Sequence, residues 1–290
     1  MDKTVPHPRV VMVDGVPMSA LVAEAADPRA VIVALHGGAT TSVYFDCPGH
    51  PELSLLRAAV ANGCTVIGLD RPGYGASAAY PDAMAHPDQR VALAFGAVHR
   101  IAGPGAVFVL GHSMGCELAV RMAVDGGPDV LGISLAGTGR RYQAAAQEIL
   151  KNAAIDHRPR GLRDLLWEPA RLYPPDVIGN GLSSAGTAYE ADVIKTWATQ
   201  DFPQLAAKII SPVQFLAGDH ESVWESDATA LAAIGAMFGS APHVDVGELA
   251  DSGHNLSVGL TAGHYHRRVL SFVEDCVATR GRTDSEVEAG

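Results

Sequence analysis

The sequence predicts an α/β fold: a mostly parallel central sheet flanked by helices, with one inserted, mainly helical segment. Three observations carry this reading. Short apolar runs alternate with helix-like stretches from about residue 10 to 135. The alternation stops between about residues 140 and 208, then resumes to about residue 278. Glycine-rich turns follow several of the apolar runs, where a parallel sheet presents its carboxyl edge.

The elements follow in order. Val10–Val13 and Met18–Ala25 read as an opening pair of strands around the Asp14-Gly15 turn signal. Ala30–Leu35 is a continuous apolar run bounded by Pro28 and Gly37-Gly38, as expected of a strand buried on both faces. Pro51–Ala61 reads as a helix ended by Asn62-Gly63, and Thr65–Leu69 as a second buried strand. Asp88–Ile101 is helical in pattern, Gly105–Leu110 a third buried strand, and Met114–Val124 a helix closed by Gly126-Gly127-Pro128. Val130–Leu135 is a fourth buried strand. Residues 140–208 hold helix-like pieces at Tyr142–Asn152 and Tyr189–Thr199, a Pro174-Pro175 joint, and the aromatics Trp167, Tyr173, Tyr189, Trp197 and Phe202. They are expected to form a cap on the carboxyl edge, between a first core part (1–139) and a second (209–279). The second part reads as a strand at Val213–Ala217, a helix near Asp227–Phe238, a strand at His243–Val246 and a helix near Ala262–Ala278. The polar segment 280–290 is expected to be disordered.

Composition narrows the function. In 290 residues, Lys+Arg number 21 and Asp+Glu 32, a net charge of −11. That argues against a nucleic-acid partner. No apolar run approaches the roughly 20 residues of a membrane span, and MDKTVPHPRV lacks the apolar core of a secretory signal. Neither membrane nor secretion is expected, and the expected location is cytoplasmic. The four cysteines, Cys47, Cys64, Cys116 and Cys276, are scattered and read as reduced, buried thiols. With no CxxC and no HExxH, neither a metal nor an organic cofactor is expected. A homodimer stays open, because a dimer surface and a cap surface look alike in the sequence.

The chemistry gathers around Gly111-His112-Ser113-Met114-Gly115. A GxSxG match is common in itself; its place between a buried strand and a helix is what distinguishes it. A sharp turn there lifts a serine hydroxyl off the sheet edge, with a helix N-terminus beneath it to favour negative charge. His36-Gly37-Gly38 follows another parallel strand, so the loop can aim a second backbone N–H at the same place. Gly38 and Met114 are therefore the expected oxyanion donors.

These segments, together with Asp70-Arg71-Pro72-Gly73-Tyr74-Gly75-Ala76-Ser77 and Ser252-Gly253-His254, resemble the α/β-hydrolase superfamily in motif and order, over about residues 10 to 278. The resemblance implies the α/β-hydrolase fold, Ser113 as nucleophile and His254, in the loop after the last strand, as its base. It implies an acid after the strand Val213–Ala217, where Gly218-Asp219-His220-Glu221 offers two. The family's Gly-x-x-Asp spacing favours Glu221 and leaves Asp219 as the alternative. His112 is implied to pack beside the nucleophile. Asp70 and Arg71 are read as a structural ion pair or loop hydrogen bonds. Arg140, Arg141, Arg158, Arg160, Arg163 and Arg171 make the cap locally basic, either as a solvated face or toward a substrate carboxylate or carrier phosphate. Asn255-Leu256-Ser257 matches a glycosylation sequon, without meaning unless secreted.

The implied function is a serine-dependent hydrolase or acyltransferase, esterase- or thioesterase-like, acting on a small-to-medium, partly apolar substrate through an acyl-serine. Epoxide hydrolases and haloalkane dehalogenases of this fold carry Asp at the elbow, so Ser113 argues against both. Two alternatives stay open: a lyase-like or C–C bond-cleaving enzyme on the same scaffold, and a non-enzymatic ligand receptor.

Overall fold

A computed structural model of the chain describes residues 2–151, 161–178 and 182–288. Its strands are β1 (His7–Val13), β2 (Val16–Ala23), β3 (Ala30–Leu35), β4 (Cys64–Leu69), β5 (Val107–His112), β6 (Val130–Ala136), β7 (Val213–Gly218) and β8 (Val244–Leu249). They form one sheet in the order β1-β2-β4-β3-β5-β6-β7-β8, antiparallel at β1-β2 and β2-β4 and parallel elsewhere. The predicted fold class is therefore observed. β1 lies at an edge and alternates exposed and half-buried residues, whereas β4, β5 and β7 are buried at every position.

The parallel strands are buried on both faces because helices cover both. α1 (Leu55–Ala61) and α9 (Ala262–Glu288) pack on one face; α2 (Pro87–Ala102) and α3 (Gly115–Gly126) pack on the other. β3 shows the division: Val33 and Leu35 join Leu93, Ala94, Leu118 and Met122, while Ile32 and Ala34 join Leu55, Leu56, Val269 and Phe272. Each fully buried large aliphatic contributes about 1.5–3 kcal/mol, so the two apolar layers clamp the sheet whose edge carries the site.

Most boundaries move by one to three residues, for local reasons. The predicted helix Pro51–Ala61 splits, because the Ser54 hydroxyl accepts the Arg57 N–H (3.1 Å) and starts α1 afresh after a short 3₁₀ turn. The third buried strand begins later than expected and runs on to His112, which still pairs with Ala136. α8 (Ala228–Gly235) starts behind Asp227, whose carboxylate caps the N–H groups of Thr229 and Ala230. The expected disorder of 280–290 is corrected up to Glu288: α9 continues through the segment, and the Arg280 guanidinium donates to the Pro128 carbonyl (2.7 Å). An established helix adds residues at little cost, and apart from Gly281 this stretch lacks a breaker.

Between β6 and β7 the described residues add no strand to the sheet. They hold α4 (Ala144–Lys151), α5 (Leu162–Leu166), α6 (Glu190–Thr196), a π-helical turn (Trp197–Asp201) and α7 (Phe202–Ala206). The predicted helix end at Asn152 and the arginines Arg158 and Arg160 lie outside the described residues. Ser184 N–H donates to the Ala39 carbonyl (2.9 Å), and the Tyr189 hydroxyl to the Pro72 carbonyl (2.9 Å). Both acceptors lie just past the carboxyl ends of β3 and β4.

All four cysteines are free and buried. Among the described residues no helix is long and apolar enough to cross a membrane, and no group of three or more His, Cys, Asp or Glu is placed to hold a metal ion.

Three imidazoles are sealed inside this core. Burial, helped by neighbouring charge, pushes His112 and His266 down to about 3 and holds His36 well below its ordinary range. An unfolded histidine titrates near 6.5, so below that pH the unfolded chain binds protons that the folded chain refuses. Their contribution to stability is thus complete above about pH 6.5 and is lost as pH falls toward 3. Urea unfolding should accordingly show stability dropping between pH 6.5 and 5. His266→Gln, which can keep a bond to Ser257 Oγ (2.8 Å to His266 Nε2 in the native chain), should make that slope shallower by up to about one proton.

Candidate active site

Ser113 follows β5 directly and precedes α3, with φ +52°. The left-handed region costs a non-glycine residue about 1–3 kcal/mol, and the surroundings hold it there. Ser113 N–H donates to the Ala136 carbonyl (2.8 Å), and Ser113 C=O accepts from Cys116 N–H (2.9 Å). The turn closes this tightly only because two neighbours lack side chains. A Cβ on Gly111 would lie 2.8 Å from Cys116 Cα and from Ala119 Cβ, and one on Gly115 would strike the Leu35 carbonyl.

His254 arrives from the loop after β8. Its Nε2 lies 3.1 Å from Ser113 Oγ, and its Nδ1 lies 2.9 and 3.1 Å from the two carboxylate oxygens of Glu221. Glu221 and His254 are 5% and 1% exposed, so this contact is shielded from water. The geometry sets the tautomer: Nδ1–H faces the carboxylate, leaving Nε2 to accept from the hydroxyl. Glu221 Oε1 also accepts the Val223 N–H (2.8 Å), which fixes the carboxylate plane.

Each supporting loop is itself tied down. Asp219 points away from the imidazole and accepts N–H bonds from Asp251 and Ser252, both at 3.0 Å. Burial pushes its carboxyl upward, but these bonds prevail and hold it below the usual range. It thus staples the loop after β7 to the loop carrying His254. The Tyr173 hydroxyl accepts the Asn255 N–H (3.1 Å) from beneath. On the other side of Glu221, Gln143 donates its side-chain amide to the Glu221 carbonyl and its backbone N–H to the Val223 carbonyl (2.9 Å). Tyr142 stacks on Trp224 with ring centres 4.1 Å apart.

His112 donates Nε2–H to the His254 carbonyl (3.0 Å) and stacks on Tyr44 at 4.4 Å. It packs beside the serine as expected, and it also holds the backbone of the histidine that meets Ser113. Gly37 lies against Ser113, since a Cβ there would be 3.2 Å from the serine Cβ. The Gly38 and Met114 N–H groups have no acceptor among the described residues. Met114 opens α3, so its N–H belongs to the positive end of that helix.

The family model described as "Alpha/beta hydrolase family" matches residues 32–265, which span β3 to the start of α9. The chain belongs to the alpha/beta hydrolase family. Among solved structures of this fold, a thermostable carboxyl esterase from Bacillus coagulans aligns at TM-score 0.70 with 15% identity, over 94% of this chain and 99% of that one. A proline iminopeptidase from Mycobacterium smegmatis gives 0.66 and 17%, over 94% and 100%. The thioesterase domain from the curacin biosynthetic pathway gives 0.61 and 15%, over 93% and 99%. No curated protein matches the sequence.

Of the hydrolase-family residues expected from sequence, Ser113, His254 and Glu221 meet in space, and Asp219 does not join them. Asp70 and Arg71 make loop hydrogen bonds, one of the two readings, rather than an ion pair with each other. Asp70 binds Ser42 N–H (2.7 Å) and Ser19 Oγ (2.6 Å), whereas Arg71 pairs with Glu190, 2.5 Å away. Three of the basic residues past β6 are already engaged, Arg140 with the Ala198 carbonyl (2.9 Å), Arg141 with Glu225 (2.6 Å) and Arg171 with His220 Nε2 (3.3 Å). The sequon asparagine is buried and donates to the Leu166 carbonyl (2.8 Å). Sequence reasoning missed Glu190, Gln143 and the hydrogen bond of His112. Only His112 and Arg71 sat in motifs that could have signalled them.

Gly115→Ala tests the tightness of the elbow. The added methyl meets backbone carbonyls of Leu35 and His36, which cannot rotate aside. A loss of about 1–3 kcal/mol is expected in urea unfolding.

Proposed function

We propose that the protein is a serine-dependent hydrolase or acyltransferase that cleaves an ester, thioester or related carbonyl bond through an acyl-Ser113 intermediate. The observation that carries this reading is the unbroken line from the Glu221 carboxylate through His254 to Ser113 Oγ. In this mechanism His254 Nε2 takes the hydroxyl proton as Ser113 attacks the carbonyl carbon. The tetrahedral oxygen gains negative charge and lies between the N–H groups of Gly38 and Met114, at the positive end of α3. Glu221 orients the ring and stabilises the imidazolium. His254-H⁺ then protonates the departing alcohol or thiol. Water or another nucleophile, activated by the same nitrogen, releases the acyl group. Residues 140–208 serve as a cap that shapes the acyl pocket, and their aromatic side chains favour a partly apolar substrate.

The esterase and thioesterase named among the structural neighbours support this class of chemistry, and the buried carboxylate–imidazole contact supports it more directly. A fluorophosphonate should label the native enzyme on Ser113, located by peptide mass spectrometry. A panel of p-nitrophenyl esters and acyl thioesters should then show turnover that Ser113→Ala abolishes without unfolding the protein. A well-folded Ser113→Ala variant of normal activity would overturn the mechanism.

The two acids of the β7 loop should separate sharply. Glu221→Gln keeps the shape but removes the charge facing the imidazole, and is expected to lower kcat by orders of magnitude. Asp219→Asn loses one of the two carboxylate oxygens that accept the Asp251 and Ser252 N–H groups, and is expected to lower the melting temperature while changing kcat only a few-fold. The reverse ranking in kcat would assign the acid to Asp219.

A further inference from the structure

Glu190 lies in the first turn of α6, on the segment between β6 and β7, and is 7% exposed. One of its carboxylate oxygens accepts from Arg71 Nη2 (2.5 Å) and from the Tyr74 hydroxyl (2.7 Å). Arg71 and Tyr74 are each 1% exposed. Arg71 spends its remaining donors on the loop beside Ser113: Nε on the His36 carbonyl (2.6 Å), Nη2 also on the Gly37 carbonyl (3.0 Å), and its backbone N–H on His36 Nε2 (3.0 Å). The Tyr74 hydroxyl accepts the Ala39 N–H (2.8 Å), and Tyr189 Oη accepts from Arg71 Nη1 (3.2 Å).

The Gly37 carbonyl and the Gly38 N–H belong to one planar trans peptide and point in opposite directions. The carbonyl is held by Arg71 and by His36 Nδ1–H (2.8 Å), and burial keeps His36 neutral for that donation. Fixing the carbonyl therefore fixes where the Gly38 N–H points. The Arg71 guanidinium stays charged when buried and needs a carboxylate to compensate that charge without water, and Glu190 supplies it.

We infer that Glu190 is a positioning residue for the oxyanion hole: through Arg71 and Tyr74 it sets the direction of the Gly38 N–H, so this amide is aimed only when the segment carrying α6 is seated on the core. The inference rests on the acyl-serine reading above. The consequence is kinetic. A misdirected donor weakens binding of the tetrahedral oxyanion and leaves ground-state substrate binding almost untouched.

The test compares wild type with Glu190→Gln, Tyr74→Phe and the control Glu117→Gln. The control breaks another buried pair, Arg90–Glu117 at 3.1 Å; Arg90 lies over the Tyr189 ring, and among the described residues neither Arg90 nor Glu117 has a side-chain hydrogen bond to the loop 36–39. Each variant is assayed for kcat and KM on p-nitrophenyl butyrate, for Ki of an alkyl trifluoromethyl ketone that forms a hemiketal oxyanion on serine, and for melting temperature. Glu190→Gln is expected to lower kcat by about 10- to 100-fold with KM within about twofold, and to raise Ki in proportion to the loss of kcat/KM. Tyr74→Phe should move all three the same way by a smaller factor, and it decides the matter alone should Glu190→Gln not fold. Glu117→Gln should lower the melting temperature while kcat and Ki stay near wild type. A folded Glu190→Gln with wild-type kcat overturns the inference, as does a loss carried by KM or an unchanged Ki. Absence of fluorophosphonate labelling and ester turnover in the wild type is a different result: it removes the acyl-serine reading itself, and this inference with it.

Discussion

The backbone of Ser113 is the constraint around which the molecule is arranged. A residue at φ +52° between a strand and a helix is held there by both. β5 is paired with β3 on one side and β6 on the other, so its end cannot drift. α3 packs into the core through Leu118, Met122 and their neighbours, so its start cannot drift either. The turn between them has no freedom left, and the two flanking glycines are what let it close. The local strain is small beside the apolar burial that enforces it. The parallel arrangement then does the rest: loops after β3, β4, β7 and β8 open at the same edge, within a side chain's reach of that hydroxyl.

The histidines around the site divide the work by their partners. His36 and His112 are buried among uncharged groups or beside a cation, which holds them neutral; the His36 ring connects the Gly37 carbonyl to the Arg71 amide, and the His112 ring holds the His254 carbonyl. His254 faces a carboxylate on one nitrogen and a half-buried hydroxyl on the other. Charge is admitted near the site chiefly where it is matched: Glu221 by an imidazole and backbone N–H, Arg71 by Glu190, Glu117 by Arg90 and Arg121. This is the pattern expected where burying an unmatched charge would cost several kcal/mol.

What was legible in the sequence was whatever a short-range pattern records. Apolar runs such as Ala30–Leu35 show as strands because burial on both faces leaves no room for polar residues. Ser113 and His254 were legible because a strand–turn–helix and a loop after the last strand fix their places. Glu221 could be preferred over Asp219 by its spacing from Gly218. Glu190 and Gln143 could not be read at all. Their roles depend on contacts with residues 116–119 and 78 positions away, respectively, within a segment whose hydrophobic rhythm is irregular. The extension of α9 beyond residue 280 was missed because a polar helix end leaves no apolar stripe.

The strip 141–143 runs beside 223–225, with N–H bonds from Gln143 to the Val223 carbonyl and from Glu225 to the Arg141 carbonyl, both 2.9 Å, and an aromatic stack across the pair. This lacing joins the start of the inserted segment to the loop that holds Glu221. A lid swinging about that stem would drag the acid off its imidazole. The stem is therefore a poor hinge: the first residues after β6 cannot move without taking the Glu221 loop with them.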